Sequence, residues 1–362
     1  MKKNLAALAI PLFFSIGIAA GPVLADDGHG RGKGLFIDRD VDTFAVLPKG
    51  VTNPEGITAN PANGDIYVST FVAPIKLLRY DRHGRLLAQR DFAQPLLGLE
   101  FRDNKVYITN VGNFVGVDSK IQRVNADLSN LEDVAILPHI GAPASPFAVG
   151  NPDGSNDLIT FGDNASVPNA LVFDSNGTLY ISDSFQGAVF KIANVAGCNV
   201  ATCVTITLSH DGLLATVGFP PFGANGLAFN TDESVLFVAN TGDDRVLKID
   251  PTTGGVSSFS ESLNGADGLV FDKRSGLLWV CANQADEVVA LNSAGRVVAK
   301  LGEFRGINRD GTPDGLLFPA SPVIVGDEIF VTNLAVALTA AVGDEPEEDV
   351  KLWTVSKMRL PH

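Results

Sequence analysis

The sequence is poor in the residues on which thiol chemistry and nucleic-acid binding depend. Three cysteines and five histidines occur in 362 residues, and no Cys-x-x-Cys pair is present. The 27 lysine and arginine residues are outnumbered by 41 aspartate and glutamate residues, so the formal net charge is −14. Because nucleic acids and anionic membranes select basic surfaces, this charge argues against both as partners. An acidic surface is instead compatible with divalent cations.

Long apolar runs are scarce, and the longest lies at the start of the chain. A basic start precedes Leu5–Ala20, and Val23-Leu24-Ala25 resembles a small-residue cleavage site. This pattern predicts that residues 1–25 are a secretory signal peptide, with export to a bacterial periplasm or the medium. No other segment approaches the ~18 apolar residues that a membrane-spanning helix needs. We expect a flexible leader over 26–40 and a single folded domain over 41–362.

Short apolar runs bounded by Asn, Asp and Gly recur through the rest of the chain. One unit, residues 224–250, reads as a polar turn at Ala224-Asn225-Gly226 followed by three short strands. Six copies align on one residue each, with spacings of 42, 72, 56, 42 and 54 residues: Glu55, Leu97, Asn169, Asn225, Asp267 and Ser321. A repeat of about 40–50 residues made of four strands is typical of a β-propeller. The sequence therefore predicts an all-β protein, a six-bladed β-propeller.

The two ends of the chain are predicted to meet in one sheet. Asp42–Leu47 reads as a strand without a blade, and the sixth blade supplies three strands, the last of them Val350–Val355. We therefore expect the N-terminal strand to complete the last blade, which removes open sheet edges. Two long insertions, 138–167 and 334–349, interrupt the repeat, and Leu334–Val342 is expected to be a short apolar helix.

The aligned residues form a ring around the mouth of the central channel. Four ring positions carry oxygen donors, and none carries His or Cys: Glu55, Asn169, Asn225 and Asp267. Oxygen ligands of this type suit Ca²⁺, whereas zinc and copper favour nitrogen or sulfur. Any single Asn-Gly or Asp-Gly pair is an ordinary turn former. Four donors in one column of the repeat nevertheless favour a shared calcium, or other divalent cation, site.

These segments resemble a known family. Pro54-Glu55-Gly56, Pro168-Asn169, Asn225-Gly226-Leu227 and Asp267-Gly268-Leu269 look like the regucalcin/gluconolactonase (senescence marker protein-like) six-bladed propellers. The resemblance implies that Glu55, Asn169, Asn225 and Asp267 hold a divalent ion. It also implies metal-assisted hydrolysis of a lactone or ester, with Asp267 as the catalytic residue that helps to activate the attacking water.

The sequence departs from the sugar-lactonases of that family around the predicted site. Ala170 and Leu171 replace the polar residue and glycine that follow the blade-three Asn in many of them. Residues that end or follow the second strands are the candidates for substrate contacts: Phe71, Phe114, Phe185, Asp183, Asn110, Asn240 and Asn283. Because three of them are phenylalanines, we expect a small-molecule substrate more apolar than a sugar lactone.

The remaining candidates are one histidine and the cysteines. His139, in a long insertion on the metal face, is either a solvent-exposed loop residue or a general base of the kind that paraoxonases use. Cys198 and Cys203 flank a short loop, and a disulfide between them would pin that insertion. Cys281 lies within a predicted strand and is expected to be a buried, inert thiol.

Two other functions are compatible with the repeat. A non-catalytic, NHL-like periplasmic propeller would bind a protein partner and use any ion structurally, because fold alone does not settle function. A lyase related to the streptogramin-inactivating propellers is less favoured, since those have seven blades and a catalytic histidine.

Overall fold

The structure is a computed structural model that describes residues 34–113, 116–143, 147–151, 153–159, 165–339 and 343–361. The predicted signal peptide with its cleavage site after Ala25, most of the predicted leader, and Phe114 lie outside the described residues. Within these ranges, no helix has the length and apolarity that a membrane crossing requires.

Short strands account for nearly all the regular structure. The first ten are β1 (Phe36–Asp38), β2 (Asp42–Val46), β3 (Pro54–Ala59), β4 (Ile66–Thr70), β5 (Lys76–Tyr80), β6 (Leu86–Asp91), β7 (Leu96–Arg102), β8 (Lys105–Asn110), β9 (Lys120–Asn125) and β10 (Glu132–Ile136). The next ten are β11 (Phe147–Gly150), β12 (Asn156–Ile159), β13 (Pro168–Phe173), β14 (Leu179–Asp183), β15 (Ala188–Ile192), β16 (Thr205–His210), β17 (Ala224–Phe229), β18 (Leu236–Asn240), β19 (Arg245–Ile249) and β20 (Val256–Ser260). The last nine are β21 (Ala266–Asp272), β22 (Leu277–Ala282), β23 (Glu287–Leu291), β24 (Val297–Leu301), β25 (Phe304–Ile307), β26 (Pro313–Gly315), β27 (Pro319–Val325), β28 (Glu328–Asn333) and β29 (Thr354–Arg359). The described residues also contain four 3₁₀ helices: Val195–Gly197, Gly212–Leu214, Asn283–Ala285 and Pro346–Asp349.

The described strands form six blades. Blades one to five are the antiparallel sheets β3–β6, β7–β10, β13–β16, β17–β20 and β21–β24, and blade six has the order β2-β29-β28-β27. Asp42 pairs with Lys357, and Val46 pairs with Thr354. The predicted six-bladed propeller and its closure by the N-terminal strand are therefore confirmed. Two extra hairpins, β11-β12 and β25-β26, arise from the insertions.

Three local expectations differ from the structure. Phe36–Asp38, in the predicted flexible leader, forms β1, which pairs in parallel with the outer strand β24 and so satisfies its edge. The helix predicted over Leu334–Val342 is wrong for its described residues, 334–339, which contain no helix. The third strand of blade six is β29 and not Val350–Val355, because Val350 caps the 3₁₀ helix that precedes it.

The hydrophobic core is divided among the six contacts between neighbouring blades. Between blades six and one, for example, Phe330 and Val355 pack with Ile66 and Val68. Equivalent buried clusters occupy the other five contacts. Complete burial of one such aliphatic side chain contributes about 1.5–3 kcal/mol, so each blade is held mainly by its neighbours.

A column of hydroxyl groups joins each of four blades to the next. The penultimate residue of the second strand donates to a ring-residue carbonyl of the following blade: Ser69 to Leu97, Thr109 to Asn169, Ser182 to Asn225, and Thr332 to Glu55. The ring positions are thus fixed through their backbone oxygens. Ala239 and Cys281 occupy this column in blades four and five. Cys281 is a buried free thiol, as expected.

Candidate metal centre and adjoining cavity

The four predicted ligands lie at equivalent places in four blades. Glu55, Asn169, Asn225 and Asp267 are each the second residue of the blade's first strand and are 3–5% exposed. Pairing with the second strand shifts register directly around each of them, for example between Ala224 and Leu227. Such a bulge redirects side chains locally. All four side chains line one cavity of about 140 Å³.

The glycine after the ring residue serves close packing and not a turn. Ala224-Asn225-Gly226, predicted as a polar turn, lies within strand β17. A Cβ atom on Gly226 would lie 2.3 Å from the carbonyl oxygen of Asp267, and one on Gly268 would lie 2.5 Å from that of Ala320. Glycine at these positions therefore lets neighbouring first strands approach near the channel.

Two hydroxyl groups fix the orientation of the carboxamides. Ser184 Oγ donates to the carbonyl of Ala224, so towards the Asn169 carboxamide it can only accept, here from Nδ2 at 3.1 Å. In the same way, Thr241 Oγ1 donates to the Ala266 carbonyl and accepts from Asn225 Nδ2 at 2.9 Å. The amide nitrogens are thereby committed to protein partners. Each Oδ1 is left as the group available to a ligand.

The two carboxylates are buried beside each other with one oxygen unsatisfied on each. Glu55 Oε2 and Asp267 Oδ1 are buried and have no hydrogen-bond partner, whereas Asp267 Oδ2 accepts from Asn283 Nδ2 at 3.0 Å. Burial raises the pKa of Glu55 well above its usual range, and the Asp267 charge raises it further. Burial likewise raises the pKa of Asp267 to about 7, against the lowering effect of the hydrogen bond from Asn283. Two unpaired buried carboxylates are costly without a cation.

The donor set fits a hard divalent ion. The cavity brings together two carboxylates and two carboxamide oxygens, and calcium accepts both types. In the described part of the chain, no three His, Cys, Asp or Glu side chains group into a metal site, which is consistent with a set completed by asparagine. Glu55, Asn169, Asn225 and Asp267 would hold the ion, and the two carboxylates would balance its charge.

The walls of the cavity are mainly apolar. Its side chains include Phe71, Phe222, Phe318, Leu334, Val336 and Leu338. The 334–338 wall is fixed by polar groups behind it: Asn53 Nδ2 donates to the carbonyls of Leu334 and Ala335 at 2.9 and 3.3 Å. Trp353 Nε1 donates to the same two carbonyls at 3.2 and 3.3 Å. These bonds hold the backbone of this segment in its non-helical conformation.

A second, larger space lies along the propeller axis. It measures about 610 Å³ and is lined by the first strands of all six blades, with Glu100 as a carboxylate on its wall. Asn169 and Asn225 border both spaces. The ring residues therefore separate this channel from the apolar cavity, and the channel contains neither Glu55 nor Asp267.

The predicted substrate contacts at strand ends divide into two groups. Asn283 lines the cavity. Asp183 does not: it is fully buried and accepts bonds from Ser166, Gln186 and three nearby backbone positions. Asn110 donates to Gln122, and Asn240 donates to the carbonyls of Leu213 and Ala215. These three residues organise loops, because a buried polar side chain needs its own partners.

The predicted aromatic and histidine residues are also separated by the structure. Phe71 lines the cavity, while Phe185 lies behind it and contacts Phe222 with ring centroids 5.5 Å apart. His139 is exposed and is not among the cavity residues. Its neighbour Ile140 is anchored through a backbone bond to Gln186. The predicted Cys198–Cys203 disulfide is present, with a Cα–Cα distance of 5.0 Å. It packs against the buried cluster between blades two and three.

Sequence reasoning missed Ser184 and Thr241, which orient the two carboxamides, and it assigned Asn283 to the substrate instead of to Asp267. Ser184 and Thr241 directly follow the second strands of blades three and four, and Asn283 has the same position in blade five. A polar residue at this aligned position, in the blades that supply Asn169, Asn225 and Asp267, was the available signal. The wall at 334–338 gave no such signal, because it lies in an insertion that no other blade repeats.

The comparisons with known proteins agree with this architecture. A family model of the "SMP-30/Gluconolactonase/LRE-like region" matches residues 204–302, which include Asn225 and Asp267. Comparison with curated proteins gave no match. A luciferin-regenerating enzyme structure aligns with 86% of this chain and 92% of its own, at 14% identity and a TM-score of 0.59.

Two further solved structures share the fold. Regucalcin, a calcium-binding protein from Agrobacterium tumefaciens strain C58, aligns with 89% of this chain and 94% of its own, at 15% identity and a TM-score of 0.57. A putative gluconolactonase aligns with 91% and 97%, at 16% identity and a TM-score of 0.55. The resemblance seen in the sequence is thus confirmed over residues 204–302, which are similar to the SMP-30/gluconolactonase/LRE-like family, and the fold is shared with these structures.

Proposed function

We propose that this protein is a secreted, calcium-dependent hydrolase of the lactonase type that opens an apolar lactone or ester. The observation that carries the proposal is the meeting of Glu55, Asn169, Asn225 and Asp267 in one cavity with apolar walls. The family match and the shared fold support a lactonase-like propeller. The calcium ion, the substrate class and secretion belong to the proposal.

In the proposed reaction, the protein binds and orients the substrate and moves one proton. A calcium ion held by the four ring residues would polarise the substrate carbonyl. Asp267 would accept a proton from the attacking water, whose oxygen bonds to the carbonyl carbon. The carbon–oxygen bond of the lactone then breaks, and the alkoxide takes up the proton that Asp267 accepted from the water, which gives the hydroxy acid and regenerates the carboxylate. Asn283 holds Oδ2 of Asp267, which leaves Oδ1 without a protein partner.

The apolar walls define the expected substrate. Phe71, Phe222 and the 334–338 segment offer no charged side chain with which to hold sugar hydroxyls. A cavity of this composition excludes water and gains affinity from alkyl or aryl groups. We therefore expect lactones with an alkyl or aryl substituent to react faster than aldonolactones.

The decisive experiment measures calcium content and proton release on a panel of lactones. Asp267→Ala should abolish both calcium binding and hydrolysis. Full activity in that variant would reject the proposal, and faster turnover of aldonolactones would reject the apolar substrate. Bound calcium in the wild-type protein, without turnover of any lactone or ester, would instead favour a non-catalytic scaffold that binds a protein partner.

Secretion can be tested separately. In a bacterial host that exports the full chain, the periplasmic protein should begin at Asp26, as determined by mass spectrometry of the intact protein. A protein that retains residues 1–25 would contradict the cleavage prediction and leave the hydrolase proposal unaffected.

A further inference from the structure

We propose that Asn283 and Gly265 form a positioning pair that sets the orientation of Asp267 for the cation. This inference rests on the proposed function, because it assigns residues to the same calcium site. Asn283 is 2% exposed and follows the second strand of blade five, whereas Gly265 precedes the first strand of that blade.

The carboxamide of Asn283 uses its nitrogen to bond Asp267, while its side-chain oxygen is left without a partner. Its Nδ2 donates to Asp267 Oδ2 at 3.0 Å. Its Oδ1 is buried and has no partner. A buried polar atom without a partner is unfavourable for folding, so fold stability alone does not explain this arrangement. This orientation of the Asn283 carboxamide is explained if the hydrogen bond that its Nδ2 donates to Asp267 is required to position that carboxylate.

Gly265 makes the orientation possible. A Cβ atom at this position would lie 1.8 Å from Asn283 Oδ1 and 2.9 Å from its Cγ, so the carboxamide would have to leave its present place. Gly265 is itself held in place by two backbone contacts. Its N–H donates to Asp244 Oδ1 at 2.6 Å, and its carbonyl accepts from the backbone N–H of Asn283 at 2.9 Å. Its φ of +68° is in the region that favours glycine.

The two oxygens of the Asp267 carboxylate therefore have different roles at the cation site. Asp267 Oδ2 is committed to Asn283, and Oδ1 is buried without a partner. Hydrogen bonds of this kind fix the geometry of metal-binding carboxylates, and their loss typically lowers metal affinity about 10–100-fold. Asn283 therefore acts on the cation through Asp267.

The test is a double-mutant cycle read by calcium binding. Wild type, Asn283→Ala, Gly265→Ala and the double variant are stripped with EDTA and titrated with calcium in a calorimeter. Each single variant should bind calcium about 10–100-fold more weakly. The double variant should bind calcium no more weakly than the single variant with the lower affinity. The reason is that the Cβ added at position 265 then has no Asn283 carboxamide to displace.

A matched control separates positioning from general damage. Asn60, also buried at 7% exposure, accepts a bond from the Ala62 amide in a hairpin turn of blade one and does not line the cavity. Asn60→Ala should lower the melting temperature in EDTA and leave calcium affinity within about twofold of wild type. A drop in calcium affinity equal to that of Asn283→Ala would make the effect one of fold stability and overturn the inference.

The possible outcomes are distinguishable. If wild type binds calcium and Asn283→Ala binds it equally well, the positioning pair is wrong and the proposed function stands. If the losses in the two single variants add in the double variant, the two residues act independently, and the inference is likewise overturned. If wild type binds no calcium at all, the proposed function fails together with the inference.

Discussion

Asp267→Asn should make the calcium-free protein more stable while removing its response to calcium. The substitution keeps the shape of the side chain and leaves an oxygen for Asn283 to bond. It removes a negative charge that is 4% exposed and lies beside a second buried carboxyl group, Glu55. The folded protein without a cation has to bury that charge, and the variant does not.

The size of the effect follows from the pKa of Asp267. Burial raises this pKa from 3.8 to about 7, a shift of about three units. Between these two pH values the folded state retains a proton that the unfolded state has released, so the free energy of unfolding falls as pH rises. At about 1.36 kcal/mol per unit, the loss amounts to about 4 kcal/mol above pH 7. Asp267→Asn should recover up to that amount at pH 8.

The assay is urea denaturation at pH 5 and pH 8, in EDTA and in excess calcium. In EDTA, wild type should lose stability from pH 5 to pH 8, and the variant should lose less, because only the buried Glu55 carboxyl group still titrates there. Calcium should restore wild type at pH 8 by mass action and leave the variant unchanged. Asp310→Asn, at a surface turn where bonds from Thr312 lower the carboxyl pKa, is the control and should gain nothing. A variant less stable than wild type in EDTA at pH 8 would refute the reasoning.

Three further changes probe the orientation of the ligands, the cavity wall and the disulfide. Thr241→Val removes the hydroxyl that holds Asn225 Nδ2, so calcium affinity measured by calorimetry should fall about tenfold, and an unchanged affinity would contradict the assigned amide orientation. Leu338→Ala enlarges the apolar cavity, so the ratio of kcat/KM for long-chain over short-chain lactones should rise about tenfold, and a ratio that stays constant would place the substrate elsewhere. Cys198→Ser opens a short loop, so the free energy of unfolding should fall by about 2 kcal/mol, while calcium affinity should stay the same; a change in affinity would show that the loop acts on the site.

The fold was predictable because its signal is repeated. Each blade presents a short apolar strand, a turn and a second apolar strand, and six copies reinforce one another where a single copy would be ambiguous. The three strands predicted within residues 224–250 are present as β17, β18 and β19. Elements that occur once were predicted less well: the wall at 334–338 depends on Asn53 and Trp353, which are distant from it or outside the repeat.

The candidate ligands were predictable for a related reason, and their orientation was not. Glu55, Asn169, Asn225 and Asp267 share one column of the repeat, and ring symmetry brings one column to one place. The same logic wrongly grouped Asp183 and Asn240 with the site, because a column fixes the backbone position and not the direction of the side chain. The direction of the Asn169 carboxamide, for example, depends on Ser184. The Ser184 hydroxyl donates its one proton to a backbone carbonyl and can therefore only accept from Asn169.

The surroundings of the ring also bear on whether the ion would be catalytic or structural. A structural ion is best served by a closed shell of ligands, because every remaining position filled by protein adds stability. Here Glu55 and Asp267, each with one unpartnered oxygen, line a cavity of about 140 Å³ whose other walls are mostly hydrocarbon. Such walls add little to ion binding but exclude water and hold an apolar group beside the ion. Substitution of wall residues such as Leu338 should therefore alter substrate preference and leave calcium affinity unchanged, whereas in a scaffold it should alter neither.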